Sequence, residues 1–180
     1  MEIPYRLAVE RVFSDPIQDA LGDVAIAVLH DTQSGVVLSP ADVGFGLSQV
    51  LPVVVQLLGN HQKTILVEQP EIHLHPKIQS RLTDILITAA VKNGNKLLVE
   101  THSEHLLLRA QRRLREASTE GFGSNSLGVL FVRTVEGVGA VQDLRIDNSG
   151  QLLDPWPDGF FDERFDDLFV GIELCSSPWM

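Results

Sequence analysis

The sequence predicts an α/β chain built on parallel strands joined by crossover helices. Two runs, "KTILVEQ" and "KLLVETH", are short and continuously apolar, as strands buried in a parallel sheet are. Between them, "HPKIQSRLTDILITAAVKNGN" carries apolar residues at helical spacing, and another helical stretch follows the second run. Strand, helix, strand, helix in that rhythm gives parallel strands with right-handed crossovers. Both strands end in an acid, which brings charge to the same edge of the sheet.

The elements follow in order. Residues 1–22 have helix-compatible periodicity with a break at "SDPIQ", predicting a short helical lead-in. "DVAIAVLHD" and "GVVLS", separated by "TQSG", predict a hairpin. In "GFGLSQVLPVVVQLL", Leu47, Val50, Leu51, Val54, Leu57 and Leu58 recur at three and four, predicting an amphipathic helix that stops at Gly59-Asn60. Pro52 falls in its first turns, where few backbone bonds are forfeited. "KTILVEQ" is expected to be covered on both faces. The next helix has Pro76 in its first turn, a stripe of Ile78, Leu82, Ile85, Leu86 and Ala89, and a stop at Asn93-Gly94. Ser103 is placed to cap "SEHLLLRAQRRLREAS". "SLGVLFVRTVEG" and "GAVQDLRIDNSG" predict a second hairpin, and "QLLDPWPDGFFDERFDDLF" a docked acidic, aromatic tail with one short helix. The organisation expected is a lead-in and hairpin over 1–40, a core over 41–135 and a hairpin strand and tail over 136–180.

At 180 residues and 44% hydrophobic content the chain has the length and composition of one globular domain. Its greasiest stretch, "VLPVVVQLL", is far short of the roughly 20 residues of a membrane span. The N-terminal "MEIPYRLAVERVF" lacks the apolar centre of a signal peptide. The single cysteine, Cys175, excludes an internal disulfide and fits a reducing compartment, so a cytoplasmic location is expected. A net charge of −10 argues against a general polyanion binder. Charge is uneven: "RAQRRLR" carries four arginines, and 154–173 carries seven acids against one arginine. The arginines either face a phosphate or complement a helix C-terminus; the acids make a solvated or partner-facing surface.

Ligands of open parallel sheets bind beyond the carboxyl ends of the strands. The two strand ends deliver Glu68, Gln69, Glu71, Thr101 and His102 to one rim. Two chemistries compete there. In one, an acid holds the metal of a Mg-nucleotide. In the other, His73, His75, His102, His105 and an acid bind Zn²⁺ or Mn²⁺ in a metal-dependent hydrolase.

"ILVEQPEIHLHP" resembles the Walker B and D-loop segment of ABC-type AAA-family ATPases of the OLD-nuclease/RecF-like class. "LLVETHSEHLL" resembles the switch-histidine segment of the same class, and "DVGFGLSQVLP" its signature motif. "WPDGFFDERFDDLF" looks like the end of a subgroup with a C-terminal domain of unknown function; the resemblance spans roughly residues 36–170. It implies part of a P-loop NTPase fold, with ATP and Mg²⁺ as cofactors. Glu68 would take the Walker B position, holding Mg²⁺ through its water shell. Gln69 stands where relatives often carry the glutamate that activates water. An amide can orient water but cannot take its proton, so hydrolysis is slow or Glu71 supplies the base. His102 would sense the γ-phosphate. Gly44, Phe45, Gly46 and Ser48 would form the signature loop and helix start that reach the nucleotide of a second copy. Gly44 stands where relatives often carry serine. His75 and Pro76 would end the D-loop at the dimer interface, with His73 structural.

No GxxxxGK[ST] phosphate cradle occurs in the 180 residues. The expectation is therefore the C-terminal part of an ATPase, inactive alone and completed by an N-terminal lobe or a second copy, with sheet edges left open to association. Relatives act in nucleic-acid processing or phage defence, which makes DNA an implied partner; no membrane is implied. The alternative is a non-catalytic interaction module, a degenerate remnant of such an ATPase.

Overall fold

A computed structural model describes residues 5–12, 24–116 and 120–157. The chain opens with an antiparallel sheet of β1 (Tyr5–Val12), β2 (Val24–Asp31) and β3 (Val37–Leu38). Then come α1 (Phe45–Gly59), β4 (Thr64–Glu68), α2 (Pro76–Val91), β5 (Lys96–Glu100) and α3 (Glu104–Glu116). A short 3-10 turn at Ser124–Ser126 leads to an antiparallel pair, β6 (Val129–Val135) and β7 (Val138–Leu144).

The helical lead-in is corrected: Tyr5–Val12 is a strand. It pairs residue for residue with β2, from Tyr5 opposite Asp31 to Val12 opposite Val24. Across that pair His30 Nε2 lies 3.3 Å from Glu10 Oε1. Cross-strand hydrogen bonding, invisible to a local periodicity, decides this segment. Residues 13–23, including the "SDPIQ" break, lie outside the described residues.

β4 and β5 run parallel in register, from Thr64 opposite Lys96 to Glu68 opposite Glu100. Their inward face, including Ile65, Leu97 and Val99, packs on a core of Val50, Leu57, Leu74, Leu82, Leu86, Ala89 and Leu106. The expectation that both faces are covered is corrected: Leu66 is 69% and Leu98 57% exposed. Among the described residues the helices cover one face of this sheet. Every predicted stripe residue of α2 joins or borders the core. On α1 the stripe is narrower than predicted, because Leu57 is buried while Leu58 is exposed. The expectation for Pro52 is corrected: it lies inside α1, seven residues and about two turns past the first helical residue, Phe45, where its absent N–H forfeits a helical bond.

The loop after α2 closes the end of α1. Asn95, almost fully buried, donates to the Asn60 carbonyl at 2.8 Å and accepts from the Lys63 N–H at 3.0 Å. Asn93 donates to the Leu57 and Leu58 carbonyls. These side chains satisfy carbonyls that the end of a helix leaves unpaired.

α3 is clamped to α2 by Asp84. Arg109 reaches its carboxylate at 3.1 and 2.7 Å, and Arg113 at 2.7 and 3.0 Å. Arg112 and Arg113 also bond Glu116. Three of the four arginines of "RAQRRLR" thus have carboxylate partners. Burial works to raise the Asp84 pKa, but hydrogen bonds and charge from Arg113 and Arg109 outweigh it and hold it at about 2.

The β6–β7 hairpin turns through Glu136 (φ 50°) and Gly137 (φ 82°), both left-handed as a two-residue hairpin loop requires. Beyond it, Ile146 bridges Leu152 and Arg145 bonds Asp154. The Gly150 turn lies against the Gln111 backbone of α3 so closely that a Cβ would clash with its carbonyl. Most of the predicted acidic tail, from 158 onward, lies outside the described residues.

Candidate functional site

The parallel register of β4 and β5 brings the two motif-bearing strand ends side by side. Glu68 and Glu100 face each other as the last pair of the ladder. The Gln69 N–H extends it with a 2.8 Å bond to the Glu100 carbonyl. Glu68 alternates with inward-facing Val67, so its exposed side chain shares the open face with Leu66 and Leu98. A carboxylate there can offer hard oxygen ligands to Mg²⁺, which commonly uses one or two carboxylates with water and phosphate oxygens. On that chemistry Glu68 fits a Mg-nucleotide.

The chain then turns sharply. Gln69 (φ 42°) and His73 (φ 63°) both adopt left-handed backbone conformations uncommon for residues with a Cβ. Such strain persists where surrounding structure over-determines it, often at functional sites. Within the turn, Pro70 and Glu71 are buried. Glu71 Oε1 accepts from the Thr101 hydroxyl at 2.7 Å and from the His102 N–H at 2.9 Å. Oε2 is shielded from solvent and has no hydrogen-bond partner among the described residues. One oxygen holds two donors and the other is out of reach of water, so this geometry does not present Glu71 as a base for an attacking water.

Ser103, placed by the sequence as the cap of α3, donates its hydroxyl to Gln79 Oε1 at 2.6 Å. Gln79 Nε2 donates to the Leu74 carbonyl at 2.9 Å and the Glu71 carbonyl at 3.4 Å. Gln79 was not among the sequence candidates, because its partners lie on separate elements and leave no local signal. An open concavity of about 520 Å³ lies here, lined among others by Gln69, Glu71, His73, Gln79, His102 and His105.

His75 is the N-cap of α2. Its Nδ1 accepts from the Lys77 N–H at 3.2 Å, and Pro76 follows as the first helical residue. His73 stacks edge-on against Phe45, ring centroids 5.0 Å apart. Gly46 packs so closely behind this turn that a Cβ would lie 2.5 Å from the His73 carbonyl oxygen. Gly44 opens α1 without a side-chain cap. The Ser48 hydroxyl donates to the Phe45 carbonyl at 2.8 Å, so its proton is spent inside the helix. The signature-like residues thus join the β4 turn through the Phe45–His73 and Gly46–His73 contacts. Among the described residues, no group of three or more His, Cys, Asp or Glu side chains is placed to hold a metal ion, so the histidine-based metal centre finds no support. No described helix is long and apolar enough to cross a membrane.

The chain has the fold of known ATPase heads. One solved chain, from work on ATP-driven dimerization and DNA-stimulated activation of SMC ATPases, superposes with a TM-score of 0.51 at 12% identity, covering 77% of this chain and 73% of that one. A second, an SmcHead bound to the C-winged helix domain of ScpA, gives 0.55 at 13% identity, covering 79% of this chain and 39% of that one. A search of curated proteins finds no match. A family model for proteins of unknown function matches residues 124–170. Residues 4–109, more than half of the chain, match the model described as "AAA domain, putative AbiEii toxin, Type IV TA system". The chain belongs to this family of AAA domains, with a mixed α/β fold like that of SMC ATPase heads.

Proposed function

We propose that this chain is the Walker B, signature and switch-histidine portion of an ABC-type ATPase of the OLD-nuclease/RecF-like class. The observation that carries this reading is the parallel register that brings Glu68 and Gln69 beside Thr101 and His102 at one sheet edge. When bound, Mg²⁺ neutralises phosphate charge, and Glu68 supplies the oxygen ligand that holds it, directly or through water. Gln69 orients the attacking water without taking its proton, which makes turnover slow. His102 donates to the terminal phosphate.

The chain acts with a lobe that carries a phosphate cradle and with a second copy. The exposed Leu66 and Leu98, on the same open face as Glu68, support a covering lobe there. The start of α1, with Gly44, Gly46 and Ser48, serves the nucleotide of the second copy, as the ATP-driven dimerization of the SMC ATPase suggests by fold analogy. DNA is a partner by the same analogy, and the work coupled to hydrolysis is nucleic-acid processing or phage defence. The arginine run is not assigned to DNA, because Arg109, Arg112 and Arg113 already pair with Asp84 and Glu116. A second reading, a non-catalytic interaction module, is favoured by the amide at Gln69 together with the engaged carboxylate of Glu71.

The test is Mg-ATP binding and turnover by the purified chain, with Glu68→Ala as control. The proposal expects no tight binding by the chain alone, and Glu68-dependent turnover once a lobe carrying the phosphate cradle is added. Tight binding that Glu68→Ala leaves intact would refute the assigned role of Glu68. Glu68-dependent binding without turnover in the completed assembly would establish the non-catalytic reading.

A further inference from the structure

We infer that Glu71 is a positioning residue: its buried carboxylate fixes the backbone of Thr101 and His102 and thereby sets where the His102 side chain stands. The importance of that placement rests on the function proposed above; the placement itself does not.

The hydrogen bonds form a closed ring. Glu71 Oε1 takes the Thr101 hydroxyl proton and the His102 N–H. The Thr101 oxygen accepts the Ser103 N–H at 3.0 Å. The Ser103 hydroxyl donates to Gln79, whose amide returns two protons to the Leu74 and Glu71 carbonyls. Every donor has a defined acceptor: two arms leave Ser103, one through the Thr101 hydroxyl and one through the Gln79 amide, and both end on Glu71, on its carboxylate and its carbonyl. Glu71 and Ser103 are both buried, which keeps water from competing for these bonds.

The ring spans four elements. It ties the turn after β4 to the turn after β5, and both to α2 and the start of α3. Leu74, in the same turn, is anchored in the core. Gly46 at the start of α1 abuts His73 one residue earlier. The signature-like helix, the strained turn and the His102 backbone are therefore one mechanical piece, and Glu71 is the side chain that includes His102 in it. A residue acting as an acceptor needs oxygen at this position rather than a removable proton, which separates this role from that of a base.

The experiment is amide hydrogen exchange at His102, read by NMR on the full chain in wild type, Glu71→Ala, Glu71→Gln and Thr101→Val. Removing the acceptor in Glu71→Ala is expected to speed His102 exchange about tenfold or more, while core amides of β4 and α2 keep their protection. Glu71→Gln, whose amide oxygen accepts the same two bonds, is expected to restore protection to within about threefold of wild type. Unchanged His102 exchange in Glu71→Ala, with the core intact, overturns the inference. So does a Glu71→Gln variant as unprotected as Glu71→Ala. Should Glu71→Ala fail to fold, Thr101→Val decides: faster exchange at Ser103 and His102 supports the ring, and unchanged exchange refutes it. None of these readouts needs nucleotide, so a chain without an ATP site would defeat the proposed function and leave this result standing on its own.

Discussion

Replacing Asp84 by asparagine removes the charge that two arginines of α3 share and should destabilise the protein in a pH-dependent way. The four Arg–Asp84 distances run from 2.7 to 3.1 Å, and both guanidiniums are bidentate. Asp84 falls from 3.8 to about 2 in the folded chain. At about 1.4 kcal/mol per pH unit, that depression corresponds to about 2.5 kcal/mol. The carboxylate is 30% exposed, so solvent screening reduces this to about 1.5–2 kcal/mol. Because the folded value is the lower one, the contribution is fully present above about pH 4 and is lost as pH falls through about 2. Urea unfolding of wild type and Asp84→Asn at a series of pH values measures it; urea is preferred because guanidinium salt screens ion pairs. The expected difference is about 1.5–2 kcal/mol at pH 7, shrinking toward zero near pH 2. A difference that stays constant over this range would show that the substitution acts through packing and would refute the electrostatic account. The consequence extends beyond stability, because α3 begins beside His102 and Asp84 is the ion-pair anchor between α3 and α2.

Two other substitutions test the surroundings of the site. Gly46→Ala places a Cβ 2.5 Å from the His73 carbonyl oxygen, a backbone atom that cannot swing aside. It should cost about 1–3 kcal/mol in thermal unfolding and shift the amide resonances of residues 72–75; a neutral result would mean the two segments are not packed together. Leu66→Lys with Leu98→Lys puts charge on the open face of β4 and β5. Sedimentation should show less concentration-dependent association than in wild type, with unfolding free energy within about 0.5 kcal/mol, whereas a large loss of stability would mean that face is already covered.

Much of the site was legible because it is built on local patterns. The apolar runs of β4 and β5, the helical stripes between them, and Pro76 as the first residue of α2 all follow from spacing and capping rules. Parallel pairing then put Glu68, Gln69, Thr101 and His102 on one edge, as a strand–helix–strand rhythm requires. Glu71 and His75 were visible as candidates, yet their chemistry was not. A buried carboxylate accepting from residues thirty positions away looks, in sequence, like any acid after a strand, and a histidine cap looks like a ligand.

What the sequence determined by itself is therefore the set of elements whose cause is local: helices from periodicity, strands from apolar runs, and polar residues at strand ends. The tertiary structure decided whatever depends on a partner remote in the chain. It made Tyr5–Val12 a strand, because every residue of the segment pairs in register with β2, a partner on another part of the chain. It left one face of β4 and β5 open, because only packing determines which faces helices cover. It gave Arg109 and Arg113 to Asp84 and the Glu71 carboxylate to Thr101 and His102. The physical reason is the same in each case: a contact, whether a hydrogen bond, an ion pair or apolar packing, is defined by where its two sides meet, and composition along one segment holds only one side.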